Sequence, residues 1–355
     1  MQYRVLGRSG LRVSALALGT LPFGGHQRPQ FGNIGVPDAQ RMLDRALDAG
    51  INLIDTADVY GYGRAEAVVG EIIKGRREKL VIATKVRAVV GDGPNDAGLS
   101  RYHIMASVDA SLRRLGVDHI DLYQVHDWDG QTAVEQVMTT LDSLVRSGKV
   151  RYVGCSNLSA WHIMKALAAA DSTNSERFVS QQIYYSMLNR DVEHELVPLS
   201  IDQGLGNLVY SPLAGGLLSG KLMRNRDEER IRAWREPPVP DAGRVLDVLD
   251  VVAEVAVELH ATVAQVAIAY LLTKCVTSVI IGPKNLEQIE SVLPAVELVL
   301  SPEQLTRLDA ASRQPLPYPY WHQAQSIGDR LGAADLMLHS ASSAPPPRYL
   351  GTPNA

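Results

Sequence analysis

The chain has 355 residues, of which 46% are hydrophobic and 21% charged, a composition typical of globular proteins. Its formal net charge of -4 excludes the basic footprint of a protein that binds nucleic acid or an anionic membrane. The two cysteines, Cys155 and Cys275, have no metal-ligand spacing, and the N-terminal residues lack the apolar core of a signal peptide. A cytoplasmic, reduced protein without a metal site is therefore expected.

Short apolar runs alternate with helical patterns along most of the chain. Residues 1–14 predict a β-hairpin around Gly7 to Gly10. Strand-like runs then occur at 15–20, 51–55, 80–85, 120–126, 150–156, 178–183, 207–212 and 278–283. Each precedes a helical pattern, and these span roughly 37–49, 63–74, 101–115, 132–146, 159–170, 192–203, 244–260 and 285–293.

This alternation predicts an α/β fold, a parallel (β/α)8 TIM barrel with an N-terminal β-hairpin. A doubly wound open sheet is the competing architecture, but no G-x-G-x-x-G fingerprint follows any strand. The polar segment 213–243 is expected to form a long loop after strand 7, and a further helical pattern, TVAQVAIAYLLTK, precedes strand 8. The barrel domain is predicted over residues 1–325. Residues 326–355 are predicted to form a C-terminal tail, partly disordered, because they are rich in Pro, Ser and Ala.

Ionisable residues stand where successive strand-like runs end, which is where (β/α)8 barrels carry their active sites. Asp55, Lys85 and His126 end three runs, and Tyr60 follows Asp55 in a loop. A buried Lys85 needs a partner such as Asp55, and the pair is expected to lower the pKa of the nearby Tyr60 phenol. His126 is a candidate for orienting a carbonyl oxygen or relaying a proton. Each of these four residues on its own has an ordinary packing or hydrogen-bonding explanation. Only their occurrence together indicates an active site.

These residues lie in motifs that resemble those of the aldo-keto reductases, in the bacterial branch related to potassium-channel β-subunit-like proteins. The resemblance covers about residues 3–325, and its motifs are LGRSGLRVSALALGT, INLIDTADVYG, VIATKV, IDLYQVH, GKVRYVGCSN, VYSPLAGGLLSGK and IIGPKNLEQI. It implies a barrel that binds a nicotinamide dinucleotide, usually NADPH, and reduces an aldehyde or ketone by hydride transfer. It further implies that Tyr60 is the general acid, that Lys85 and Asp55 lower its pKa, and that His126 orients the carbonyl.

The resemblance also implies a set of cofactor contacts. Ser156 and Asn157 would hydrogen-bond the nicotinamide carboxamide, with Gln182 beside them, and Tyr210 would stack on the ring. The other implied contacts are Gly19, Thr20 and Asp55 near the nicotinamide ribose, Ser211, Leu213, Gly215 and Lys221 over the pyrophosphate, and Gly282, Lys284 and Gln288 near the adenosine 2′-phosphate. As alternatives, Ser156 and Asn157 would simply cap a helix, and Lys221 and Lys284 would be solvated surface lysines.

One departure from the family pattern affects the adenosine end of the site. The family usually has Glu-Asn at the third and fourth positions after Gln288, where this chain has Ser291 and Val292. NADPH is therefore the expected cofactor, with NADH possible. Three residues that follow strand ends are candidates either for a substrate pocket or for ordinary loop packing: Phe23, Arg87 and Trp128.

Two other functions remain open from the sequence. The first is a nicotinamide-binding regulatory or partner subunit with slow turnover. The second is a barrel enzyme in which Lys85 forms a Schiff base with a carbonyl substrate. The expected partner is a small carbonyl compound, and the sequence leaves the oligomeric state and the physiological substrate open.

Overall fold

A closed barrel of eight parallel strands organises the molecule. The computed structural model describes residues 1–25, 32–222, 241–326 and 331–335. The barrel strands follow one another in chain order, and the last pairs with the first. They are β3 (Leu16–Gly19), β4 (Leu53–Asp55), β5 (Val81–Val86), β6 (Ile120–Val125), β7 (Val150–Ser156), β8 (Ser180–Tyr184), β9 (Gly206–Tyr210) and β10 (Ser278–Ile281). The prediction of a (β/α)8 barrel is confirmed.

Helices surround the barrel. They are α1 (Val36–Asp48), α2 (Arg64–Ile72), α3 (Arg101–Leu115), α4 (Val134–Arg146), α5 (Ala160–Thr173), α6 (Leu196–Gln203), α7 (Ala242–Glu258), α8 (Val263–Leu272), α9 (Leu286–Val292), α10 (Pro302–Ser312) and α11 (Tyr320–Ser326). In the described chain no single helix meets the length and hydropathy of a membrane span; α7 and α8 meet them only when joined across a 95° bend.

The alternation of side chains along each strand divides the core into two clusters. Outward residues such as Ile54, Ile82 and Val209 pack with the helices in the larger cluster. Inward residues such as Leu53 and Leu208 form a smaller cluster inside the barrel. Because strands have a period of two, the inward series at the other end of β4 and β5 continues to Asp55 and Lys85.

A β-hairpin closes the N-terminal end of the barrel, as predicted. Its strands are β1 (Tyr3–Val5) and β2 (Arg12–Ser14), which pair antiparallel. Leu6 and Val13 are fully buried in the cluster inside the barrel. Gly7 has φ +57°, and a Cβ there would lie 2.4 Å from the Val179 carbonyl oxygen, so the turn requires glycine. With the hairpin packed on this end, a site is expected at the C-terminal end of the barrel.

The structure differs from the predicted elements at α6, at α10 and at α11, a short helix that the sequence analysis does not predict. The predicted helix 192–203 is a short 3-10 turn, Asp191–Glu193, followed by α6, because Pro198 fits only the first turn of a helix. Helix α10 was not among the predicted elements, although Ser301 and Gln304 form a capping box at its start. The boundary at residue 325 stays a prediction, and the predicted tail lies largely outside the described residues, as does the 223–240 part of the predicted loop.

Candidate active site

The inward side chains at the C-terminal ends of the strands converge on the barrel mouth. The strand register sets the height of these side chains along the barrel axis. Asp55 pairs with Gly19 and Ala83, and Lys85 pairs with Gln124. The polar or aromatic residues that six neighbouring strands contribute to this layer are Asp55, Lys85, Gln124, Ser156, Gln182 and Tyr210.

An ion pair lies at the centre of this layer. The Lys85 ammonium is 2.6 Å from Asp55 Oδ2, and both side chains are almost fully buried. Lys85 also donates to the Thr56 carbonyl oxygen at 2.8 Å, while Gln182 donates to Asp55 Oδ1 at 2.7 Å. Gln124 Nε2 lies 3.4 Å from the same oxygen. A buried pair is stable only when such hydrogen bonds satisfy its remaining donors and acceptors.

Tyr60 reaches this ion pair from the loop after β4. The Tyr60 amide donates to the Ala57 carbonyl oxygen at 3.2 Å, which closes a tight turn. This turn places the Tyr60 hydroxyl 3.4 Å from Lys85 Nζ, and the ammonium lies 5.0 Å from the ring centroid. The His126 ring meets Tyr60 edge-on, with centroids 6.0 Å apart. The four residues singled out in the sequence therefore form one cluster.

The predicted lowering of the Tyr60 pKa is not what the structure gives. Burial raises the pKa of the Tyr60 phenol and outweighs the opposing effect of the Lys85 ammonium, while the Asp55 carboxylate raises it further. Burial alone would lower the pKa of Lys85, but Asp55 and Tyr60 together raise it. Tyr60 is therefore a neutral phenol and Lys85 an ammonium at neutral pH.

His126 is a neutral imidazole. Burial and the Lys85 and Arg87 cations lower its pKa to about 3. Its Nδ1 atom is buried and has no hydrogen-bond partner among the described residues. The His126 carbonyl oxygen accepts a hydrogen bond from Asn157 Nδ2 at 3.0 Å, which fixes the end of β6 against the end of β7.

Three of the predicted nicotinamide contacts lie beside this cluster. The Tyr210 hydroxyl donates to Asn157 Oδ1 at 2.8 Å, and burial raises the pKa of Tyr210 to about 12. Ser156 is buried and donates to the Gln182 carbonyl oxygen at 3.1 Å. Neither Ser156 nor Asn157 caps α5, whose N-cap residue is Ser159. The helix-cap explanation of this pair is therefore wrong.

The predicted pyrophosphate contacts lie on one loop after β9. Ser211 has φ +53° and its carbonyl oxygen accepts from the Ala214 amide at 2.9 Å. Leu213 precedes the turn Ala214–Ser219, in which Gly215 is exposed. Lys221 is exposed beyond it. The loop starts at the barrel mouth, and Lys221 lies near the end of its described part.

The predicted adenosine contacts follow β10. A Cβ added to Gly282 would meet no atom within 4 Å, so the backbone there is open to close approach. The Lys284 amide donates to Gln288 Oε1 at 2.9 Å, so the Gln288 side-chain oxygen already accepts a hydrogen bond from the loop after β10. Ser291 Oγ donates to the Gln288 carbonyl oxygen, and Val292 is buried in α9. Val292 therefore presents no surface to a ligand.

Gly19 and Thr20 are buried beside Asp55, and Gly19 is in register with it. The Thr20 amide and hydroxyl both donate to the Asp55 carbonyl oxygen at 3.0 Å. Sequence reasoning missed Gln124 and the Thr56 carbonyl as contacts of the ion pair. Gln124 could have been found from the inward alternation of β6, whereas a backbone carbonyl leaves no signal in the sequence.

The three candidate substrate-pocket residues differ in their surroundings. Phe23 is fully buried and packs in the outer core cluster, so it has no surface at the mouth. Arg87 has φ +133° and donates from Nε to the Trp128 carbonyl oxygen at 3.1 Å. Trp128 stacks on His162, with ring centroids 4.0 Å apart. Arg87 and Trp128 stay candidates, whereas ordinary packing accounts for Phe23.

Comparison with known proteins identifies the family of the chain. A profile described as the aldo/keto reductase family matches residues 15–313. The chain belongs to the aldo/keto reductase family. It is 40% identical over 321 residues to an uncharacterized oxidoreductase, YrpG, of Bacillus subtilis, covering 87% of this chain and 95% of that one. The family assignment makes the chain an oxidoreductase, and the family generally binds NAD(P)H.

Two further relatives of this aldo/keto reductase differ in what their names describe. A probable voltage-gated potassium channel subunit beta of Arabidopsis thaliana is 36% identical over 321 residues, covering 87% of this chain and 96% of that one. Versiconal hemiacetal acetate reductase of Aspergillus parasiticus is 31% identical over 355 residues, covering 93% and 100%. The resemblance read from the motifs is confirmed at the level of the family.

Proposed function

We propose that this protein is an NADPH-dependent reductase of aldehydes or ketones, with Tyr60 as the general acid. The observation that carries the proposal is the position of Lys85 Nζ, 2.6 Å from the Asp55 carboxylate and 3.4 Å from the Tyr60 hydroxyl. Packing does not require an ammonium between a carboxylate and a phenol inside a barrel. Proton transfer to a carbonyl oxygen uses a positioned acid, and a nearby cation stabilises the anion that the acid leaves.

The protonation states of Tyr60, Lys85 and His126 suit the reduction of a carbonyl group. A neutral Tyr60 can donate its proton, and Lys85 stabilises the phenolate that remains. A neutral His126 has one N–H, which can donate to the carbonyl oxygen and orient it toward Tyr60. The fixed Asp55 charge keeps Lys85 protonated throughout.

The residues at the mouth fit a nicotinamide dinucleotide. Tyr210 offers a ring face, and Asn157 and Ser156 each keep hydrogen-bonding capacity for a carboxamide beyond the bonds they make. The open space at Gly282 suits close approach of a nucleotide to the backbone. When bound, the dinucleotide supplies the hydride for the carbonyl carbon.

The preference for NADPH over NADH rests on the exposed Lys284. Its ammonium would neutralise a 2′-phosphate, which NADH lacks. As a point charge it binds a phosphate with less geometric selectivity than an arginine. The preference is therefore expected to be moderate, because Ser291 and Val292 replace the usual Glu-Asn.

A partner-binding subunit is the second candidate function, favoured by the relatives named as potassium channel subunits beta. It is compatible with slow turnover at the same site. The Schiff-base alternative is weaker, because nucleophilic attack needs a neutral amine and Asp55 raises the pKa of Lys85.

A titration of the purified protein with NADPH, and separately with NADH, tests this proposal through the quenching of tryptophan fluorescence. We expect saturable binding of both, tighter for NADPH, and NADPH oxidation when a panel of aldehydes and ketones is added. Binding without turnover on any carbonyl compound would favour the partner-subunit function. Absence of binding at millimolar concentrations would overturn both.

A further inference from the structure

Asp58 is a buried carboxyl group that has no part in the ion pair. It is 2% exposed and lies within the turn that ends at Tyr60. Its amide donates to the Lys85 carbonyl oxygen at 3.3 Å, so the turn is fixed to β5. Tyr60 faces the barrel mouth, whereas the Asp58 side chain lies toward Glu66 of α2 and Arg114 of α3.

The charges around Asp58 do not balance if every carboxyl group is ionised. Lys85 is committed to Asp55 at 2.6 Å, and Arg114 is committed to Glu66, with Nη2 at 2.6 Å from Oε2. The Thr84 hydroxyl donates to the other Glu66 oxygen at 2.6 Å. Three buried carboxyl groups thus share two cations, and both have closer partners than Asp58.

Among the described residues Asp58 also lacks well-aligned hydrogen-bond donors, and the Val59 amide is the one donor that acts on it. Neither of its carboxyl oxygens has a partner in good geometry within the described parts of the chain. The hydroxyl of Tyr123 on β6, whose pKa Asp58 helps to raise, is likewise buried without a partner there. A buried carboxylate without well-aligned donors is costly, and such a group takes up a proton instead.

The groups that face Asp58 act on it in opposite directions. Burial, followed by the Glu66 carboxylate, raises the pKa of Asp58 to about 8, whereas Arg114, the Val59 amide and Lys85 act to lower it. In turn, an ionised Asp58 raises the pKa of Tyr60. The carboxyl group is therefore coupled to the phenol through space and through the turn they share.

We propose that Asp58 is a positioning residue that acts through Tyr60. It holds a proton while the enzyme reduces its substrate, and its ionisation places a negative charge beside Tyr60 that makes the phenol a weaker proton donor. This inference rests on the proposed role of Tyr60 as the acid. It gives the enzyme a titrating group on the far side of the barrel wall from the substrate.

The rate of carbonyl reduction as a function of pH tests this inference, measured in single turnovers so that cofactor release does not mask the chemical step. In the unmodified protein the rate should fall above about pH 8, by roughly threefold to tenfold for one added charge near the acid. Asp58→Asn cannot ionise, so its profile, normalised to its own rate at mildly acidic pH, should lose this fall.

Glu66→Gln is the matched variant, because it removes the neighbouring charge and leaves Asp58 able to ionise. Loss of the Glu66 carboxylate frees Arg114 to stabilise the Asp58 anion, so the fall should move to lower pH. Loss of the alkaline fall in Asp58→Asn, together with its shift to lower pH in Glu66→Gln, would support the inference. Loss of structure alone would not produce this pair of results. The same alkaline fall in Asp58→Asn, or an unmoved fall in Glu66→Gln, would overturn it.

A stability measurement tests the Asp58 proton without any turnover. The pKa of Asp58 is raised from 3.8 in the unfolded chain to about 8 in the folded protein. Between these values the folded state binds more protons, so this group's contribution to stability is lost as pH rises through the window. The urea midpoint of the unmodified protein should therefore fall relative to Asp58→Asn between about pH 4 and pH 8. A constant difference would overturn the inference even if the protein is a reductase.

Discussion

At the scale of the residue, Lys85 lies between Asp55 and Tyr60 and contacts both side chains. Its ammonium contacts a carboxylate that raises its pKa and a phenol whose pKa it acts to lower. A buried pair of this kind is weak evidence for stability, because the cost of removing two charges from water offsets their attraction. The effect of Lys85 on activity can therefore be separated from its effect on stability by replacing Lys85 and Asp55 together.

Lys85→Met should destabilise the protein by about 3–5 kcal/mol, since it leaves Asp55 charged, buried and unpaired. The double variant Asp55→Asn/Lys85→Met should recover most of this loss, because it replaces the pair with neutral groups. Carbonyl reduction should stay lost in both. Urea unfolding and NADPH oxidation measure the two effects, and recovery of activity together with stability would mean that Lys85 has a structural role only.

The residues of this site were partly predictable from the sequence. Strand ends and inward alternation identify Asp55 and Lys85, and the motif identifies Tyr60. The direction of the Tyr60 pKa shift was not predictable, because it depends on how burial competes with Lys85. Asp58 was not found either, since its lack of well-aligned donors depends on how Glu66 and Arg114 pair in three dimensions.

At the scale of the element, α10 is held to the barrel by a buried network. Arg190, after the 186–189 turn, makes two hydrogen bonds of 2.8 Å to Glu193 and one of 2.8 Å to Ser312 of α10. It also lies 3.1 Å from Asp309, which Lys274 contacts at 2.8 Å. This network fixes α10 against the loop that carries Arg190 and the segment that follows α8.

Arg190→Met should lower the free energy of unfolding by about 3–5 kcal/mol, because Glu193 would lose its buried partner. Arg307→Met is the control. Arg307 joins the same helix to Glu254 and Glu258 of α7, but these pairs are exposed, and little measurable change is expected. Equal losses in the two variants would show that α10 is held by general packing and not by the Arg190 network.

Elements with strong periodicity were predicted closely, and irregular ones were not. The start of α6 was placed too early because the helical pattern runs through the preceding 3-10 turn. Helix α10 carries a capping box that gives a local signal for its start. The contact between Arg190 and Ser312 has no such signal, since the two residues are 122 positions apart in the sequence.

At the scale of the whole molecule, the predicted cofactor positions lie at or after the C-terminal ends of neighbouring barrel strands. Tyr210 lies near the ion pair, Lys221 follows on the loop after β9, and Lys284 follows β10. The barrel fold brings these segments to one rim although they are far apart in sequence. Sequence motifs predict cofactor contacts at this rim, but the substrate depends on loop shapes that composition does not encode.

Lys284→Ala should weaken NADPH binding about tenfold and leave NADH nearly unchanged, because only NADPH carries the 2′-phosphate. Lys221→Ala is the matched control, since both cofactors have the pyrophosphate that Lys221 is proposed to cover. It should weaken the two cofactors equally. Fluorescence titration of both variants gives the four affinities, and an equal effect of Lys284→Ala on both cofactors would remove Lys284 from the 2′-phosphate site.

The most direct test of the proposed chemistry is Tyr60→Phe, measured for NADPH affinity and for carbonyl reduction in one preparation. The change removes one hydroxyl from the cluster and leaves the ring against His126. We predict that NADPH affinity is kept while the rate of reduction falls by about 10²–10⁴, as expected for loss of a general acid. Unchanged turnover would contradict the assignment of Tyr60 as the acid.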